Sequence, residues 1–131
     1  MFNLLKLLFN IQSKSKVTYV SAKTEALIKK EWETISHQVQ TGTPSHLRQA
    51  LIMADKALDT ALKDLAEGTT MAERLKIAKP KFDYPTYDKI WKAHKVRNNL
   101  VHEAGYEPPH YVLKEAIDNL KKGLQSLNVR I

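Results

Sequence analysis

Apolar side chains along most of the chain recur every three or four residues, which is the spacing of one face of an α-helix. The longest series advances by alternating steps of four and three, through Leu47, Leu51, Ala54, Leu58, Ala61 and Leu65. Such a seam belongs to a helix that packs nearly parallel to its neighbours. Because Pro44 and Gly68 bound the series, we predict a helix between them.

Two other segments carry long helical patterns, one towards each end of the chain. The first covers residues 20–40, is ended by Gly42, and has apolar positions at Ile28, Trp32, Ile35 and Val39. The second follows Pro109 and has apolar positions at Leu113, Ile117, Leu120, Leu124 and Leu127. Because no alternating strand pattern or internal repeat occurs, we predict an all-α fold, an antiparallel bundle of four to five helices.

Two further helices are predicted between these segments. Thr70, followed three residues later by Glu73, predicts a capping box for a short helix that ends before Pro80. A longer helix begins near Pro85 and is expected to stop at Gly105, since glycine is favoured just after a helix.

The helix between Pro85 and Gly105 carries a cation among its apolar residues. At about 100° per residue, the apolar arc consists of Ile90, Ala93, Leu100, Val101 and Ala104. Arg97 falls near the middle of this arc, where an unpaired guanidinium would be costly to desolvate. We therefore expect an anionic group to meet Arg97, either a ligand or an acid on a neighbouring helix, such as Asp55 or Asp59.

The N-terminal segment, residues 1–16, has an amphipathic pattern of its own. Seven apolar residues between Phe2 and Ile11 surround a polar line of Asn3, Lys6 and Asn10, which predicts an additional short helix. This run is much shorter than the roughly 20 residues that span a bilayer, and it lacks the basic start of a secretory signal. Two interpretations remain. The segment docks on protein, either the bundle domain (residues 17–131) or a partner subunit, or it makes a peripheral membrane contact.

Composition limits the compartment and the partners. The 131 residues are enough for one domain with a modest core. The absence of cysteine excludes disulfides and thiolate catalysis, and it fits a cytoplasmic protein. Within the net charge of +7, residues 69–105 hold eight Lys or Arg against four Asp or Glu. This region is either a surface for an anionic partner or an ordinary solvated basic surface.

Several chemistries lack the residues that they need. His102-Glu103 begins like a zinc-protease signature, but Tyr106 stands where the second histidine is required. His94 and His102 are eight residues apart, or roughly 12 Å along a helix, which is too far to chelate one ion. The glycines are too scattered for a phosphate-binding loop, and no serine lies in a nucleophile elbow. We expect no metal ion and no cofactor.

The segment Arg97-Asn98-Asn99-Leu100-Val101-His102 is suited to RNA cleavage without a metal ion. Arginine can hold a phosphate through two donors and stabilise its transition state, while histidine exchanges a proton near neutral pH. One imidazole acts as base or as acid, so two copies across a two-fold axis would supply both. Arg97 and His102 also differ by about 140° around one helix, which favours a shared site.

At these residues the chain resembles the HEPN family, whose motif is an arginine, four to six residues, and a histidine. Arg97 and His102 have this spacing, Asn98 is the polar residue that usually follows the arginine, and residues 90–96 and 103–106 are also similar. The resemblance implies a four- or five-helix bundle that dimerises, so that paired motifs form a cleft that often cuts RNA. An antitoxin protein is a further candidate partner.

The resulting hypothesis is a cytoplasmic HEPN-like homodimer that binds RNA and acts as a metal-independent endoribonuclease. Arg97 would hold the scissile phosphate, His102 would transfer protons, and Asn98 would orient either group. The candidate RNA-binding residues are His94, Trp91, Lys95 and Tyr106, of which the two aromatic residues and His94 also have structural interpretations. The alternative is a non-catalytic interaction or dimerisation module, with Arg97 paired internally and a membrane contact through residues 2–11.

Overall fold

The computed structural model describes residues 19–131, in which every regular element is helical. The five α-helices are α1 (Ala22–Thr41), α2 (Pro44–Leu65), α3 (Met71–Ile77), α4 (Tyr84–His102) and α5 (His110–Ser126). A single 3₁₀ turn, Lys79–Lys81, lies between α3 and α4. The predicted helical bundle is confirmed for this part of the chain, whereas the predicted N-terminal helix within residues 1–16 lies outside the described residues.

Side-chain caps and one glycine set the ends of α1 and α2. The hydroxyl of Ser21 accepts a hydrogen bond from the amide of Thr24 at 3.1 Å, and that of Thr43 accepts one from His46 at 3.3 Å. Gly42 adopts φ +71°, the left-handed conformation that ends a helix at little cost for glycine. The chain therefore turns from α1 into α2 within two residues, which makes the two helices antiparallel.

The capping box of α3 also involves Thr69. Thr70 accepts from the amide of Glu73 at 3.2 Å, as expected. The carboxylate of Glu73 accepts from the backbone and hydroxyl of Thr69, at 2.7 and 2.9 Å. These two hydrogen bonds hold the pKa of Glu73 below its usual value.

Helix α2 lies at the centre of the bundle and packs against the other four helices. Its predicted seam is buried over its whole length, as are Leu113, Leu120 and Leu124 of α5. The chain after α5 also joins the core, because Val129 is buried. The three- and four-residue spacing of apolar positions therefore predicted the core of these two helices correctly.

Helix α4 packs mainly on α5 and buries only part of its predicted apolar arc. Ile90 and Ala93 are buried, but Val101 and Ala104 are exposed, so the arc was wrong for the last turn. The helix also ends at His102, before Gly105, because Glu103 adopts an extended conformation with φ −106° and ψ +112°. The projection at 100° per residue failed here because it assumes that a neighbouring helix covers the apolar arc along the whole length of α4.

Candidate functional site

Asp55 lies at the centre of the candidate site, as a buried acid on α2. Its two carboxylate oxygens lie 3.0 and 3.1 Å from Nδ1 of His94, on α4. An ionised carboxylate can only accept hydrogen bonds, so Nδ1 is the nitrogen that carries the proton. The contact therefore fixes both the orientation and the tautomer of the His94 ring.

Arg97 is the second cationic side chain at the same carboxylate. Its Nε lies 3.5 Å from Oδ2 of Asp55, forming an ion pair, but it is buried without a hydrogen bond to any residue of the described chain. Its Nη1 donates to Oδ1 of Asn98 at 2.9 Å. The guanidinium is thus held from two sides, while 31% of the side chain remains exposed. Its Nη2 forms no hydrogen bond within the described residues.

The acid that meets Arg97 is Asp55, one of the two that the sequence offered. Asp59, one helical turn further along α2, instead accepts two hydrogen bonds from Arg74 of α3, at 2.8 and 2.9 Å. The two acids therefore serve different helices, Asp55 towards α4 and Asp59 towards α3. The internal contact expected under the interaction-module alternative is present, although it leaves much of the hydrogen-bonding capacity of Arg97 unused.

A surface pocket of about 370 Å³ lies along α4 beside this cluster. It is lined by Asp88, Trp91, Lys92, His94, Lys95 and Asn98. The Trp91 ring meets the His94 ring edge-on, with 6.2 Å between their centroids. The structure therefore brings three of the four candidate RNA-binding residues into one pocket, together with Asn98.

The two lysines at this pocket differ in their pairing. Lys92 forms an ion pair with Asp88, with 3.2 Å between Nζ and Oδ2. Lys95 is exposed and forms no ion pair within residues 19–131. The pocket therefore combines an aromatic wall with a cation that no acid of the described chain neutralises, an arrangement suited to the base and phosphate of one nucleotide.

His102 and Tyr106 lie apart from the pocket. His102 is exposed at the last position of α4, and no hydrogen bond or ion pair joins it to Arg97 in the described structure. Tyr106 is half-buried in the following loop, where its amide donates to the carbonyl of Glu103 at 3.3 Å. Within one chain, the cluster around Arg97 consequently consists of Asp55, His94 and Asn98, and His102 is separate from it.

The pairing of His94 with Asp55 was not predicted from the sequence. One signal was available, since Asp55 comes four residues after Leu51 and one after Ala54, which places an acid at the edge of the α2 seam. The side chain that would meet it depends on the relative register of α2 and α4. No periodicity within either helix sets that register.

The described residues contain no group of three or more His, Asp or Glu side chains placed to hold a metal ion. None of the helices between residues 19 and 131 combines the length and the apolar character needed to cross a bilayer.

Comparisons with protein-family models, curated proteins and solved structures give no match in any of the three.

Proposed function

We propose that this protein is an RNA-binding, HEPN-like homodimer that cleaves RNA without a metal ion at a site shared by two copies. The main support for this proposal is the environment of the Arg97 side chain. Asp55 and Asn98 hold its guanidinium in place, yet part of the side chain remains open to an anion. A fixed, partly desolvated guanidinium is well suited to a phosphate, because little ordering is needed on binding.

The pocket beside Arg97 supports RNA as the anionic ligand. Trp91 offers a ring on which a base can stack, and Lys95 offers a charge for a neighbouring phosphate. Stacking requires a base that is not paired within a duplex. The favoured substrate is therefore single-stranded RNA.

The end of α4 supports a shared site. His102 is exposed there, free to exchange protons with a bound ligand. Two of the most exposed large apolar side chains, Val101 and Tyr111, belong to the last turn of α4 and the first turn of α5. A second copy that covers Val101 would bring its own His102 to the site.

A second candidate function is a non-catalytic interaction module, and the ion pair between Arg97 and Asp55 favours it. The pair compensates much of the charge of Arg97 inside the fold. Under this hypothesis Arg97 joins α4 to α2 and binds no ligand. Replacement of Arg97 by Ala would then lower stability without changing any affinity for RNA.

The test is cleavage of end-labelled single-stranded RNA in the presence of EDTA. We expect the wild-type protein to cleave and His102→Ala to lose cleavage while staying folded, because the His102 side chain is exposed and forms no hydrogen bond with the described chain. His37→Ala is the matched control, since His37 is also an exposed helical histidine. Cleavage by His102→Ala at the wild-type rate would rule out the catalytic proposal. Binding of RNA by all variants, with cleavage by none, would support the interaction module.

A further inference from the structure

RNA cleavage at one phosphate needs a base and an acid at the same time, and His102 is one group in each chain. We propose that His94 is a second catalytic residue, the base that takes the proton of the attacking 2′-hydroxyl, and that Asp55 positions it. This inference rests on the proposed function.

The hydrogen bonding of His94 leaves the correct nitrogen free for this role. Because Nδ1 donates to Asp55, Nε2 carries the lone pair. Nε2 forms no hydrogen bond within residues 19–131, and 11% of the His94 side chain is exposed. His94 also lines the pocket that includes Asn98, the hydrogen-bond partner of Arg97. A ring nitrogen with a free lone pair, on an imidazole that a carboxylate fixes at a pocket, is the arrangement of a general base.

Asp55 fixes this base relative to the residue proposed to hold the phosphate. His94 and Arg97 are three residues apart, so they share one side of α4, and both contact the same carboxylate. When Nε2 accepts a proton, the ring becomes an imidazolium, which the negative charge of Asp55 stabilises. A purely structural histidine would need neither the free nitrogen nor the pocket.

His102 of the same chain is too far away to complete this site. The eight residues between it and His94 correspond to roughly 12 Å along a helix. We infer that the acid is His102 of a second copy. In the resulting step the bond from O2′ to phosphorus forms and the bond from phosphorus to O5′ breaks. The 2′-hydroxyl proton passes to His94, and the His102 imidazolium protonates O5′, which gives a 2′,3′-cyclic phosphate and a 5′-hydroxyl.

This arrangement predicts which inactive variants can complement each other. His94→Gln and His102→Ala should each be inactive alone. After subunit exchange, half of the dimers are mixed and each holds one intact site, so about a quarter of the wild-type activity should return. A mixture of His94→Gln and Arg97→Ala should stay inactive, because both residues come from the same half of each site.

The outcomes separate this inference from the proposed function. Absence of cleavage by the wild-type protein would overturn both. Wild-type cleavage combined with an active His94→Gln variant would overturn the role of His94 alone. The same follows if mixed dimers, verified by native mass spectrometry, fail to regain activity or if the His94→Gln and Arg97→Ala mixture regains it.

The role of Asp55 has a spectroscopic test that does not depend on cleavage. Nitrogen-15 NMR should show the neutral His94 ring protonated at Nδ1 in the wild-type protein. In Asp55→Asn the amide can also donate a hydrogen bond, so a larger share of the ring should carry the proton at Nε2. Cleavage should then fall by about 100-fold in a protein that remains folded. An unchanged tautomer in Asp55→Asn, or a wild-type ring protonated at Nε2, would overturn the positioning role.

Discussion

Arg74 of α3 donates two hydrogen bonds to Asp59 of α2, from Nε at 2.8 Å and from Nη2 at 2.9 Å. Its Nη1 also donates to the carbonyl of Gly68 at 2.6 Å, so one side chain joins α2, α3 and the loop between them. The hydrogen bonds that Asp59 accepts from Arg74 raise the pKa of Arg74 above its usual value. Asp55, one turn earlier on α2, instead contacts His94 and Arg97 of α4.

Replacement of each acid by its amide should separate structural from functional roles. Asp59→Asn should lower the free energy of unfolding by about 2 kcal/mol, because two charge-assisted hydrogen bonds are weakened, and should leave RNA cleavage unchanged. Asp55→Asn should lower both stability and RNA cleavage. Urea denaturation and RNA-cleavage assays of the two variants are the measurements. Equal losses of RNA cleavage in both would contradict the assignment of Asp55 to the site.

Lys95 should contribute to RNA binding through charge. Lys95→Ala should reduce the slope of log affinity against log salt by about 0.7 for single-stranded RNA, the value for one phosphate contact. The control is Lys30→Ala, since Lys30 is also exposed on a helix, α1, outside the pocket. Fluorescence anisotropy at several salt concentrations measures both. Identical slopes for the two variants would show that the charge of Lys95 does not face the nucleic acid.

The end of α4 should carry the dimer contact. Val101 and Leu27 are equally exposed, at 49% and 50%, so the change to Asp introduces the same charge at two comparable surface positions. Val101→Asp should shift sedimentation equilibrium towards monomer and reduce cleavage, because a charge is then buried at the interface. Leu27→Asp should change neither. If Val101→Asp remains as dimeric as the wild-type protein, the interface does not include Val101.

The sequence predicted most of the fold, because the apolar seams of α1, α2 and α5 are continuous and strongly periodic. It failed at Val101, where an apolar residue on the correct face has no neighbouring helix to cover it. It gave Asp55 as one of two acids that could meet Arg97 but did not pair it with His94. That contact lies between residues 39 positions apart and depends on how α4 lies across α2. Patterns within a helix report which face is buried, and tertiary packing decides which residues meet.

The tail after α5 is held to α1 by an ion pair that should make stability depend on pH. Arg130 donates to Glu25 from Nη2 at 2.8 Å and from its amide at 3.0 Å. These hydrogen bonds lower the pKa of Glu25 from 4.5 to about 2. The folded carboxyl has the lower pKa, so its contribution is complete above about 4.5 and disappears as the pH falls through about 2.

Comparison with Glu25→Gln isolates this effect from that of other acids. The wild-type protein should be more stable than the variant near neutral pH, and the difference in free energy of unfolding should close as the pH falls from about 4.5 to about 2. Urea denaturation at a series of pH values measures the difference. If the difference stays constant over this range, the ion pair is not the cause.

The close approach of α4 and α5 at Gly123 should appear as a coupling between two substitutions. A Cβ at Gly123 would lie 2.7 Å from Cδ1 of Ile90 and 3.0 Å from its Cγ1. Alanine is better than glycine in a helix by about 1 kcal/mol. Overpacking of a buried contact costs about 1 to 3 kcal/mol, so Gly123→Ala should be destabilising overall. Ile90 is fully buried, which leaves its side chain little room to move away.

Ile90→Val removes the Cδ1 atom and costs about 1 kcal/mol by itself. Added to this variant, Gly123→Ala should cost less than it does in the wild-type protein, because the shortest contact is gone while the gain in helix propensity remains. Denaturant unfolding of the wild-type protein, both single variants and the double variant gives the coupling energy. Additive effects would mean that α5 shifts to admit the methyl group.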